Sequence, residues 1–263
     1  MKLKPLFYWT FLFFLCSCTT VADFAGYDTQ SINQKAAQSY QAFLSDAYQQ
    51  GALDNSSATA RSVHQVFSRL LPAANMNNQT GRPFDWQMNV IRSKELNAWA
   101  MPGGKMVVYS GLVENLHLTD DELAAVIGHE MTHAIREHSK AQIGQQLLTG
   151  IGMQIGGNIL ANQTNIDPQM LNVGQSLLSE YGIDKPFSRQ HETEADIGGL
   201  MMMAAAGYNP QAALSVWQKM GQAGGGSIPT FLSTHPSGSE RIAVLQQYMP
   251  QAMAIYQQSR RAF

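Results

Sequence analysis

Two histidines four residues apart, with a glutamate directly after the first, constrain this chain more than any other feature. His129-Glu130-Met131-Thr132-His133 lies inside the stretch from Thr119 to His138, and its two imidazoles share a face only if the segment is helical. The flanking residues favour that helix. Thr119 and Glu122 have capping-box spacing, and Asp120 and Asp121 suit the positive end of a helix dipole. Leu123, Val126 and Ile127 form an apolar stripe that no proline interrupts. On such a helix both imidazoles can hold one zinc ion, and Glu130 can reach an activated water as general base. The plain alternative is a surface helix with two solvated histidines and a salt-bridging glutamate. A third ligand decides between them.

Zinc in a hydrolase usually keeps three protein ligands and one open position. A third histidine ten residues after His129 would fall on Ser139, and the glycine expected three residues before it is Arg136. His138 is one residue out of place, so that arrangement fails. A glutamate from a second helix is the other common solution. Ser188-Arg-Gln-His-Glu192-Thr-Glu194-Ala-Asp196 enters a run of small and apolar residues and puts Glu192 and Asp196 on one helical face. One carboxylate can ligate zinc while the other, one turn along, accepts the free ring N–H of a zinc histidine.

HExxH, then ExEAD on a later helix, then His235-Pro-Ser-Gly-Ser-Glu-Arg241 resembles the zinc metallopeptidases that include HtpX heat-shock proteases and CAAX prenyl proteases. Within them the chain is most similar to the soluble bacterial branch of outer-membrane lipoprotein proteases, over roughly residues 55 to 248. The resemblance implies one Zn²⁺ per chain, held by His129, His133 and Glu192, with Glu130 as the base. It implies Asp196 as the support behind a ligand, and His235 and Arg241 as auxiliary active-site groups. It also implies a strand pair beside the zinc helix whose edge accepts substrate as an added strand, with Asn97, Ala98 and Trp99 as that edge. Trp99 as a plain core residue is the competing reading. The spanning helices of the HtpX and prenyl-protease branches have no counterpart here, so intramembrane and prenylated substrates are not expected.

The N-terminal residues carry a different signal. Met1-Lys-Leu-Lys4 and the apolar run to Leu15 have the n- and h-regions of a secretory signal, too short to span a bilayer. Leu15-Cys16-Ser17-Cys18 resembles a bacterial lipobox with Cys18 as the lipidated residue, and multiple acyl chains there would give stable membrane attachment. Plain secretion with cleavage near Ser17 is the alternative. Thr19, rather than an aspartate, follows Cys18, which fits outer-membrane sorting. A lipidated Cys18 would leave the mature chain without a free thiol, excluding disulfides and a cysteine-held metal.

These signals divide the chain into a signal peptide (1–17), a polar tether (18–30) and one metallopeptidase domain (31–263) with a helical hairpin inserted at about 141–185. The hairpin is read from a glycine-punctuated apolar run, with close helix packing or a lid as its two uses. Helices are expected over 31–50 and from about 55 to 71, and a hairpin over 96–110 turning at Pro102-Gly103-Gly104. The fold class is α+β, mostly α, with the zinc helices packed on a small antiparallel sheet. A net charge of −2 with 14% charged residues gives no basic surface for nucleic acid.

The expected function is a zinc endopeptidase at the periplasmic face of a bacterial envelope, acting on unfolded or misassembled envelope proteins. Association with an envelope protein assembly complex fits that setting. The alternative is an assembly factor that binds unfolded strands in the same cleft and rarely cuts. His235 follows a glycine-rich loop, and its neutral imidazole can fill the open zinc position at rest.

Overall fold

The computed structural model describes residues 18–154, 185–223, 230–236 and 239–261. Helices α1 (Cys18–Phe24) and α2 (Thr29–Gln49) lead to a short strand, β1 (Leu53–Asp54), and helix α3 (Ala58–Asn77). Strands β2 (Gln87–Ile91), β3 (Ala98–Met101) and β4 (Lys105–Tyr109) follow. Next come α4 (Ser110–Asn115), α5 (Asp120–Ile135) and α6 (His138–Gln154). After residue 184 the chain forms α7 (Arg189–Ala205), α8 (Ala212–Gln222), α9 (Thr230–Thr234) and α10 (Ser239–Ser259). None of the described helices is long and apolar enough to cross a membrane. The expected helical hairpin lies largely in 155–184, outside the described residues.

The fold is α+β and mostly α, as expected, but the sheet is mixed rather than antiparallel. Its order is β1-β2-β4-β3, with β2 parallel to β4. The expected hairpin is present, with Ala98 opposite Val108 and Met101 opposite Lys105. The connection after Ile91 carries the chain past the place β4 will take. The tight Pro102–Gly104 turn then returns β4 between β2 and β3, alongside β2 in the same direction. Gly103 and Gly104 both have positive φ, +75° and +82°, which a side chain would resist. The outcome is that β3 is an edge strand.

Both faces of the sheet are covered. Ala98, Ala100, Met106 and Val108 join the large core with α3 and α5, whereas Trp99, Met101, Val107 and Tyr109 face α2. Alternation along the strands sends successive side chains to opposite cores. Val63, Val66, Phe67 and Leu70 of α3 are buried as their spacing predicts, and Ser57 caps that helix. On α2, Tyr40 donates to the Met106 carbonyl and accepts from Asn89 Nδ2, at 2.7 and 2.8 Å. That leaves its buried hydroxyl paired.

Helix α5 is the axis of the domain. Its capping box forms as the sequence predicts, and Glu122 also meets Lys219 Nζ and Ser215 Oγ of α8, each at 2.7 Å. Every residue from Glu122 to Ile135 is buried, more than one apolar stripe implies. Small residues on the other faces let neighbours close in, most of all α7. A Cβ on Gly199 would lie 2.7 Å from the His129 nitrogen, and one on Gly198 would lie 2.4 Å from Thr132 Cγ2. Glycine at these positions lets the two helices cross at near-backbone contact, which brings Glu192 to the histidines.

The expected tether differs from the structure in its first half. Cys18–Phe24 is helical and packs on α6, with Ala22 fully buried. A Cβ on Gly144 of α6 would fall 1.7 Å from the Cys18 carbonyl oxygen, so this seat requires glycine. Lys140 of α6 clasps Asp23 at 2.8 Å and Thr29 Oγ1 at 3.1 Å.

Candidate active site

His129 and His133 project from the same face of α5, and their Nε2 atoms lie 3.0 Å apart. Glu192, in the first turn of α7, brings Oε1 to 3.4 Å from His133 Nε2 and Oε2 to 3.6 Å from His129 Nε2. His235, after α9, completes the group, with Nδ1 3.0 Å from Glu192 Oε1 and 3.2 Å from His129 Nε2. The ligand atoms of these four residues all lie within 4.8 Å of one another, and all four are buried.

The tautomers test whether a cation fits. His129 Nδ1 faces Asp196 Oδ1 at 3.1 Å, and His133 Nδ1 faces His138 Nδ1 at 2.9 Å. With both Nδ1 atoms donating, the two Nε2 atoms turn lone pairs toward each other at 3.0 Å, repulsive unless a cation sits between them. Glu192 Oε2 and Glu130 Oε1 are buried without a hydrogen-bond partner among the described residues. Arg241 Nη1 lies 2.6 Å from Glu192 Oε2, an ionic contact outside hydrogen-bond geometry. Buried acceptors left open in this way fit a divalent ion with nitrogen and oxygen ligands.

The electrostatics agree with that donor set. Burial pushes the His133 imidazole well below its usual range, which keeps it neutral and able to ligate. Burial also acts to raise Glu192, but the facing His133 and His235 imidazoles hold it well below the carboxylate range. Asp196 is likewise lowered against its burial, because Arg241 donates to both its oxygens at 2.7 Å. Glu130 is the exception. Its burial raises it above an ordinary glutamate, only partly opposed by His235 and His129. His235 is pulled down by burial and up, more strongly, by the facing Glu130 and Glu192 carboxylates.

The structure thus brings His129, Glu130, His133, Glu192, Asp196, His235 and Arg241 into one cluster, and places the remaining expected residues elsewhere. Trp99 turns its side chain away, into the core under α2, with Phe43 edge-on at 5.3 Å. Asn97 gives its carbonyl to the Tyr109 amide at 3.0 Å. By the alternation of an antiparallel ladder, the backbone groups of Ala98 and Ala100 point away from β4, to the side of β3 that pairs with no other strand among the described residues. Cys18 begins α1. His64 is half-buried on α3 and His117 is exposed.

Four residues in contact with the cluster carry no local sequence signal for it. Trp217 of α8 stacks its ring 3.8 Å from the Arg241 guanidinium, a cation–π contact that holds the arginine in place. Phe187 and Phe231 pack on His133 and His235, at 4.2 and 4.5 Å between ring centres. His138, buried at the start of α6, is pushed down to about 4 by burial and the neighbouring His191, and so stays neutral. Beside the cluster opens a cavity of about 360 Å³ lined by Phe187, Glu192, Thr193, Pro236 and Arg241 among others.

A histidine pair on one buried helix and a carboxylate on the next define the class: a metal-dependent hydrolase of the HExxH kind. Residues 57–249 match Peptidase family M48, and the chain belongs to that family of zinc metallopeptidases. It is similar to mitochondrial metalloendopeptidase OMA1 of Arabidopsis thaliana, 37% identical over 175 residues, or 66% of this chain and 34% of the relative. The Schizosaccharomyces pombe OMA1 is 32% identical over 219 residues, covering 82% of this chain and 60% of the relative. Metalloprotease LoiP of Escherichia coli is 29% identical over 237 residues, covering 84% and 89%. The chain therefore spans between a third and three fifths of the two OMA1 proteins, but most of LoiP.

Proposed function

We propose that this chain is a zinc metalloendopeptidase of the bacterial envelope that cuts unfolded or misassembled proteins. The observation that carries the reading is the buried group of His129, His133, Glu192 and His235, with the buried Glu130 carboxylate facing His235 beside it. His129, His133 and Glu192 would hold the zinc. Zinc there supplies a Lewis acid that polarises the scissile carbonyl and makes water acidic enough to react near neutral pH.

The rest is done by the protein's own groups. Glu130, raised above an ordinary glutamate by its burial, takes a proton from the attacking water and returns it to the leaving amine. Asp196 fixes the His129 ring, and Arg241 holds both Asp196 and Glu192. With its guanidinium committed to two carboxylates, Arg241 acts by positioning, and stabilising the oxyanion falls to His235. The side of β3 turned away from β4, where the backbone groups of Ala98 and Ala100 point, would receive an extended substrate beside α5. Such pairing gives affinity without side-chain specificity, which suits unfolded substrates.

The test is metal removal from the full mature chain in detergent. A strong chelator should abolish cleavage of an unfolded protein such as casein, and stoichiometric zinc should restore it. Cleavage that persists in metal-free protein would overturn the reading.

Attachment is the second part of the proposal. The lipobox-like Leu15-Cys16-Ser17-Cys18 supports Cys18 as a lipidated residue, placing the enzyme at a membrane face, most simply the periplasmic face of the outer membrane. Cys18→Ala is expected to release the protein from the membrane fraction or to block its maturation. Unchanged fractionation together with an unchanged N-terminal mass would refute it.

A further inference from the structure

The stretch from Glu192 to Asp196 carries three carboxylates, and only two face the cluster: Glu192 toward the metal position and Asp196 toward His129. The third, Glu194, lies on the other side of α7 with its side chain 40% exposed. There it meets His138, which is 2% exposed. His138 Nε2 is 3.3 Å from Glu194 Oε2, and His138 Nδ1 is 2.9 Å from His133 Nδ1. The His191 ring stacks on His138 at 4.4 Å and 12° between planes, and Gln190 Nε2 donates to Glu194 Oε1 at 3.0 Å. Both ends of the His138 imidazole are therefore engaged, and its face is covered.

Counting protons sets the direction of the chain. His133 turns Nε2 toward His129 and Glu192, so an unprotonated Nε2 places its proton on Nδ1. Two N–H groups cannot face each other at 2.9 Å, so His138 Nδ1 must be the acceptor. A neutral His138 then carries its proton on Nε2, the nitrogen that faces Glu194. Each step fixes the tautomer of the next, from a surface carboxylate to a nitrogen in the core.

We propose that His138 and Glu194 are positioning residues for His133, holding its ring so that Nε2 presents a lone pair to zinc. This rests on the reading of His133 as a ligand. The two histidines of α5 are then supported differently: His129 by a carboxylate locked to Arg241, His133 by a neutral imidazole whose orientation is set from outside. The middle glutamate of the motif thereby acquires a use that its spacing from Glu192 conceals. Glu192 and Glu194 lie about 200° apart around a helix, and only α6, running alongside, brings the second one back to the site.

The test is zinc affinity of the full chain, measured by competition with a chelator of known affinity. His138→Phe keeps the ring volume and removes the acceptor, and should weaken zinc binding by about 10–100-fold, as loss of such partners does elsewhere. Glu194→Ala should weaken it in the same direction, and His138→Asn and Glu194→Gln, which return an acceptor, should recover much of the loss. A purely structural role would not show that recovery. In zinc-loaded wild type, ¹⁵N spectra of the histidines should show the His133 proton on Nδ1, coupled across the N–H···N bond to His138. Wild-type zinc affinity in both His138→Phe and Glu194→Ala would overturn the proposal. If His138→Phe does not fold, Glu194→Ala decides alone, since its side chain is partly in solvent. His133→Ala separates the two levels: zinc retained there removes the ligand reading itself. Zinc lost there but kept in the other two variants removes only this inference.

Discussion

Glu130→Gln is expected to bind zinc at wild-type stoichiometry and to hydrolyse unfolded protein about a hundred to ten thousand times more slowly. The amide matches the carboxylate in size but cannot take a proton from water. Its side chain reaches the cluster, where Oε1 lies 3.3 Å from His235 Nε2, and it is not among the four residues that share ligand distances. Zinc content and turnover measured on the same sample separate this from replacement of His129, His133 or Glu192, which should lose metal as well. Full proteolysis by a zinc-loaded Glu130→Gln protein would remove Glu130 from the mechanism.

His235→Ala separates two uses of one imidazole. Nδ1 lies 3.0 Å from Glu192 Oε1 and 3.2 Å from His129 Nε2, inside the group of possible ligand atoms, which supports occupation of the open position at rest. The Glu130 and Glu192 carboxylates favour the protonated ring, which supports a donor to the oxyanion. As a resting ligand that must leave, His235 restrains the enzyme, and its removal should raise or uncover basal or autolytic cleavage. As an oxyanion donor alone, its removal should lower turnover by about a hundredfold or more. X-ray absorption on the zinc gives an independent reading, since only the first use removes a nitrogen neighbour from the resting enzyme. Lower activity with unchanged zinc coordination would end the resting-ligand reading.

The helical part of the cluster was legible in the sequence because its residues obey a single local rule, whereas His235 and Arg241 follow no such spacing and are implied only by the family resemblance. His129 and His133, and Glu192 and Asp196, are each spaced one helical turn apart, and a capping box announces the first helix. Its walls were not legible. Trp217, Phe187 and Phe231 reach it from three separate segments, and nothing in their own neighbourhoods distinguishes them from ordinary core. His138 lies one residue away from a familiar ligand spacing, which conceals its use, yet the turn after α5 swings it behind His133. The strands were visible through their alternation, but strand order was not. A hairpin that places β4 between β2 and β3 has the same local pattern as one that extends an antiparallel meander. Trp99 shows the same limit, since a pleat gives each strand two faces and only the packing of α2 decides which face the indole takes.

The seat of α1 on α6 bears on how far such an enzyme can work from its membrane. A free segment of the length of residues 18–30 would extend about 40 Å, letting the cleft sweep a hemisphere above the bilayer. Seven helical residues cover only about 10 Å, and these are fastened through Gly144 and Lys140. On the reading that Cys18 carries the lipid, the domain rides at one height with one side turned to the membrane. Substrates are then selected first by position: a polypeptide stalled in the layer at the level of the cleft is within reach, and one free in the bulk must diffuse to it.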